Sequence, residues 1–134
     1  MTVTDEMLAT HPETGTAVAQ DIIERCIDAC VECAQACTAC ADACLAEDMV
    51  AELVVCIRRN ADCADVCTAT GAVLSRQTAP DVATIRALLE ACRTACGSCA
   101  SECEQHADMH EHCRVCAESC RRCEQACTEL LTAL

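Results

Sequence analysis

Six cysteines fall between residues 26 and 44 at alternating steps of four and three: Cys26, Cys30, Cys33, Cys37, Cys40 and Cys44. The alternation returns at Cys92, Cys96, Cys99 and Cys103, and again at Cys113, Cys116, Cys120, Cys123 and Cys127. A sparser set, Cys56, Cys63 and Cys67, lies between them. Steps of three and four keep side chains on one stripe of an α-helix, whereas a strand would need a period of two. The spacing therefore predicts four helices. Each carries its cysteines on the seam that a bundle normally fills with Leu and Ile.

The intervening residues agree, because Ala, Glu, Arg, Gln and Leu are good helix formers. Helices are predicted over about Thr16–Glu47, Met49–Gln77, Pro80–His106 and Met109–Ala133. Asp48 is the expected cap of the second and Thr78 of the third, whose first turn would hold Pro80. Asp108 and Glu111 have capping-box spacing at the start of the fourth. Thr4–Thr10 suggests one short extra helix. Short connections make successive helices antiparallel neighbours. The predicted fold is all-α: an N-terminal segment, residues 1–14, then an up-down-up-down four-helix bundle over residues 15–134.

A core of this kind is unusual in its chemistry. There are 18 cysteines and no Phe, Trp or Tyr. Seam neighbours on one helix have Cβ atoms roughly 5–6 Å apart, while a disulfide wants about 3.5–4.5 Å, so extensive cross-linking would strain the helices. Inert thiols would pack thinly in place of Leu. Metal binding remains, and soft thiolates favour Cu(I). A linear S–Cu–S unit built from bonds of about 2.3 Å spans about 4.5 Å, close to the reach of a seam pair. Charge points the same way: one univalent ion per thiolate neutralises the core. About four separate zinc sites of four thiolates each would leave a large negative charge in a low-dielectric interior. A zinc or cadmium buffer resembling metallothionein is the first alternative. An iron–sulfur electron carrier is the second, although its clusters usually sit on loops and CxxC arises here from the heptad alone.

The net charge of −13, with nine Arg and no Lys, excludes nucleic acid and anionic membrane as natural partners. No apolar run is long enough to span a bilayer. Met1–Gly15 carries Asp5, Glu6 and Glu13 and lacks the apolar stretch of a secretory signal. A cytosolic location is expected, where thiols stay reduced. No nucleophile paired with a base points to an enzyme.

The runs Cys26–Cys44, Cys92–Cys103 and Cys116–Cys127, with Cys56, Cys63 and Cys67, resemble the four-helix-bundle copper storage proteins, in particular their cytosolic branch. The resemblance covers about Gly15 to Leu134. It implies a bundle filled with many Cu(I) ions, mostly in two-thiolate coordination. Bridging thiolates that each serve two metals put the capacity on the order of one ion per cysteine. The resemblance also implies a homo-tetramer.

The two ends of the bundle differ. One gathers Ile22, Ile23, Val73, Leu74, Ile85, Leu88, Leu89, Leu130, Leu131 and Leu134 as an apolar plug. At the other, seam steps beyond Cys103 and before Cys113 give His106, Met109 and His110, and Met49 opens the second helix. These soft or borderline ligands mark the expected mouth, handing Cu(I) to Cys44, Cys103 and Cys113. His112 is one residue off the seam and is expected in solvent, as is His11. Asn60 interrupts the second seam, either to fix register or as a weak oxygen ligand; Thr70 continues that seam as a structural residue.

Overall fold

Alternating steps of three and four do produce helices with a sulfur seam. The structure is a computed structural model, and it describes residues 2–13 and 18–134. Its elements are α1 (Val3–Ala9), α2 (Gln20–Leu45), a 3-10 turn (Val50–Leu53), α3 (Val54–Ser75), α4 (Val82–His106) and α5 (Glu111–Ala133). Consecutive long helices pack side by side and α5 closes the ring against α2. Every cysteine faces the interior, with at most 2% of its surface exposed. Among the described residues no helix is long and apolar enough to cross a membrane.

The short N-terminal helix is present. Thr2 caps α1 by accepting a hydrogen bond from the Asp5 amide (3.1 Å). Leu8 is buried, and Thr4 Oγ1 donates to Asp28 on α2 at 2.6 Å, so α1 lies along α2. The expected starting point of the first long helix, Thr16, and the boundary between residues 14 and 15 lie outside the described residues.

Helix starts differ from the sequence expectation, for tertiary reasons. Asp48 does not cap the second helix: the chain tightens into the 3-10 turn, which buries Leu53 to 1% exposure, and α3 begins only at Val54. Thr78 does not cap α4. Ala79 adopts a left-handed φ of 48°, the chain runs on through Pro80, and Asp81 takes the N-cap position. Its carboxylate is engaged by Thr84 Oγ1 at 2.6 Å rather than by a backbone amide. Asp108 and Glu111 form no capping box, because His110 occupies the N-cap of α5 and its ring is held by Glu47 of the α2–α3 connection.

The apolar end forms as expected around Ile23, Leu74, Ile85, Leu89, Leu130 and Leu131, all buried. Ile22, Val73 and Leu134 pack against this cluster from its edge, and Leu88 is half-buried. The plug is not solid: a cavity of about 580 Å³ lies between Ile23, Leu74, Pro80, Ile85, Leu130 and Leu134. Most of the large apolar volume in the core sits here, so the metal-free bundle depends on this end. Leu130→Ala is expected to cost about 2–5 kcal/mol, read as a lower urea midpoint of the metal-free protein. A shift smaller than that of a surface substitution would contradict it. Thr70 is structural, its hydroxyl donating to the Val66 carbonyl at 2.8 Å.

Candidate metal centre

Four seams facing one axis bring the thiols into groups that span helices. Cys33 lies 3.8 Å from Cys37 on its own helix, 3.9 Å from Cys63 on α3 and 3.7 Å from Cys120 on α5. Cys37 in turn lies 3.6 Å from Cys120, 3.7 Å from Cys116 and 3.9 Å from Cys99. Towards the plug, Cys67 meets Cys96 at 3.6 Å and Cys92 at 3.8 Å, and Cys123 meets Cys30 at 3.7 Å. Towards the mouth, Cys56 meets Cys103 at 3.8 Å. All of these thiols are free.

Quartets of sulfur recur along the axis: Cys30, Cys92, Cys123 and Cys127; Cys33, Cys63, Cys67 and Cys96; Cys33, Cys37, Cys63 and Cys120; Cys37, Cys99, Cys116 and Cys120. Their atoms lie within 4.8 Å of one another. Cys33, Cys37, Cys63 and Cys120 each belong to two quartets. Independent tetrahedral zinc sites would each need four thiolates of their own. Shared thiolates instead suit bridging between univalent ions, one sulfur serving two metals. The sequence offered pairs along a helix; the bundle offers groups across helices.

Asn60 is fully buried among these thiols. Its Nδ2 donates to the Cys56 carbonyl at 2.8 Å, and its Oδ1 accepts from Cys116 at 2.9 Å and Cys99 at 3.3 Å. The amide thus ties α3 to α4 and α5, as a register residue would, and it also turns an oxygen towards sulfur.

Without metal, many of these thiols hold their protons. Hydrogen bonding with Cys116 pushes the Cys37 thiol far up, and hydrogen bonding with Cys123 does the same to Cys96. Burial raises Cys44 to about 11 and Cys113 to about 12. A metal ion must displace those protons. Loading in weakly buffered solution is therefore expected to release protons from these thiols, and acid to weaken binding. Uptake with no acidification would contradict this.

At the mouth, Glu47 Oε2 sits 2.9 Å from His110 Nδ1 and 2.9 Å from His112 Nε2. The two rings stack with centroids 5.6 Å apart. His112 Nδ1 faces Cys40 Sγ at 3.4 Å and Cys113 Sγ at 3.6 Å. Cys40, Cys44, Cys113 and His112 form a mixed quartet. His106 Nε2 pairs with Glu102 at 2.8 Å, on the same helix.

A family model described as copper storage protein matches residues 19–132. The chain belongs to the copper storage protein family. Among solved structures, it is similar to the copper storage protein Ccsp from Streptomyces lividans loaded with 10 copper equivalents: 57% identity, 98% of this chain and 100% of the other, TM-score 0.95. A five-copper structure described as copper loading to a cytosolic copper storage protein from the same organism is 64% identical over 85% of this chain and 95% of that one, with TM-score 0.84. A cysteine-rich protein of Bacillus subtilis described as uncharacterized, YhjQ, is 36% identical over 112 residues, 80% of this chain and 94% of its own length.

For this member of the copper storage family, the structure brings most of the expected ligands together. All the cysteines line the axis, and His110 is buried at its end. Met49 is half-buried, and Met109 stands 67% exposed on the α4–α5 turn, away from the thiols. His112 overturns its expectation: it is not in open solvent but half-buried, with its Nδ1 against Cys40 of the neighbouring α2 and against Cys113. His11 is half-buried too, its Nε2 3.3 Å from Thr78 Oγ1. Glu47, which joins the two histidines, is not among the residues that the spacing singles out. One more seam step of three beyond Cys44 reaches it.

Proposed function

We propose that this chain stores Cu(I) in the cytosol, on the order of one ion per cysteine, as a binding protein and not an enzyme. The shared sulfur quartets carry this reading, since a thiolate common to two groups is placed to bridge univalent ions. Ions would be held along the axis by Cys26, Cys30, Cys33, Cys37, Cys40 and Cys44 of α2, by Cys56, Cys63 and Cys67 of α3, and by their counterparts on α4 and α5. Asn60 would lend its oxygen within the array. The cytosolic description of the Streptomyces relative supports the location. Assembly as a homo-tetramer follows from the family resemblance. Bound ions serve as a reserve or as a safeguard against free copper.

Copper would pass through the end that carries His106, His110 and His112, with Met49 and Met109 on its rim. The opposite end is lined mainly by apolar side chains, which offer a cuprous ion no ligand.

The test is an anaerobic titration of fully reduced protein against a coloured Cu(I) chelator. The chelator is expected to stay metal-free until about one ion per cysteine has been added. A break at one or two equivalents would mean a single site and end this reading. In the His106→Ala, His110→Ala double variant, capacity is expected to hold while uptake and release slow. Unchanged rates would move the passage elsewhere.

A further inference from the structure

One oxygen at the mouth serves two imidazoles through different ring nitrogens. Glu47 Oε2 is 2.9 Å from Nδ1 of His110 and 2.9 Å from Nε2 of His112. A carboxylate only accepts, so each of those nitrogens carries a proton, and in the neutral imidazole the other nitrogen of each ring is a lone pair. For His112 that lone pair is Nδ1, which faces Cys40 and Cys113 at 3.4 and 3.6 Å. For His110 it is Nε2, which is buried and has no hydrogen-bond partner. A proton on that nitrogen would be a buried donor with no acceptor, an unfavourable state. The rings are stacked at an interplanar angle of 19°. The hydrogen bond from His112 also holds the Glu47 carboxyl below its ordinary range, which keeps it an acceptor.

We propose that Glu47 is a positioning residue that sets opposite tautomers on His110 and His112, so that the stacked rings present Nε2 and Nδ1 as two ligand atoms for cuprous ions at the mouth. The arrangement is the carboxylate–histidine–metal relay used widely to fix ligand orientation, with one carboxylate serving two histidines. His112 belongs to the innermost position, beside Cys40, Cys44 and Cys113. His110, at the N-cap of α5, supplies a second position whose nitrogen is already free of any competing hydrogen bond. The inference rests on copper passing through this end.

Glu47→Gln and Glu47→Ala separate the possibilities. The glutamine oxygen accepts from one ring, but its amide group must donate to the other, which reverses that ring's tautomer. Alanine frees both. Long-range nitrogen–proton correlation spectra of the metal-free protein report which ring nitrogen bears hydrogen. In the unaltered protein the proton is expected on Nδ1 of His110 and on Nε2 of His112. In Glu47→Gln the His112 ring should switch, its Nδ1 proton then facing the Cys40 and Cys113 sulfurs, and in Glu47→Ala His112 should no longer hold its proton on Nε2 alone. Cu(I) delivered by a small chelator should enter both variants roughly 10- to 100-fold more slowly in its first phase, with unchanged final capacity and helix content. The same tautomer on both rings of the unaltered protein would overturn the proposal, as would an unaltered pattern or unaltered uptake in Glu47→Ala. The spectra need no copper. A failure of the unaltered protein to fill its core would therefore count against the storage reading alone, leaving the tautomer result to stand by itself.

Discussion

Replacing Cys37 with alanine is expected to remove about two ions from the final copper count, not one. Cys37 touches Cys33, Cys116 and Cys120 within 3.8 Å and belongs to two of the sulfur quartets. A bridging thiolate that is lost leaves an incomplete coordination shell on both sides. Cys26 gives the contrast. It is the first thiol of α2, three residues beyond Ile23 of the apolar end, and its loss is expected to cost about one ion or fewer. Counting copper by chelator competition on the two variants distinguishes the accounts. Equal losses of a single ion would mean that each thiol works alone. Alanine is the right replacement, because it removes the ligand without introducing a hydroxyl that itself seeks a partner.

Filling the core with Cu(I) is expected to raise the thermal unfolding midpoint by more than about 20 °C. A ligand held at a thousandfold excess over its dissociation constant stabilises the native state by about 4 kcal/mol per site. Each kcal/mol is worth roughly 2–8 °C for a domain of this size, and the structure offers several groups of sites. Copper bound by unfolded thiols subtracts from the gain, yet scattered thiols cannot reproduce quartets drawn from three helices. The metal-free bundle leaves ample room for the effect, since its centre is small thiols and its large aliphatic side chains are concentrated at the plug. Thermal scans with and without copper, followed by chelator removal, test this. A midpoint within a few degrees of the metal-free value at full loading would place copper outside the core.

How much of this was legible beforehand depends on the range of the interaction. The seam cysteines were legible because helical periodicity is a local property repeated many times. So were the helix count and the apolar end, where Leu89, Leu130 and Leu131 continue the same stripes. The helix starts were not. Asp48, Thr78 and Asp108 all have the side chains that cap helices, but burial of Leu53, the left-handed Ala79 and the Glu47–His110 contact decide where the chain turns. The mouth was half legible. His110 follows the seam, whereas His112 reaches Cys40 across the α2–α5 interface, which periodicity does not encode. Glu47 was in seam phase with Cys44 but is a carboxylate, and a search for soft ligands passes over it. Met109 shows the reverse: it lies in phase with Cys113, but the α4–α5 turn leaves it in solvent.

The most direct test of sulfur as the cargo-bearing interior is a crystal loaded with cuprous ion under anaerobic conditions and measured on both sides of the copper absorption edge. Anomalous peaks are expected in a row along the bundle axis, each within about 2.3 Å of cysteine sulfur, with occupancy near Cys33, Cys37, Cys63 and Cys120 where quartets overlap. Peaks confined to surface carboxylates or to the mouth histidines, with the axis free of signal, would contradict the account.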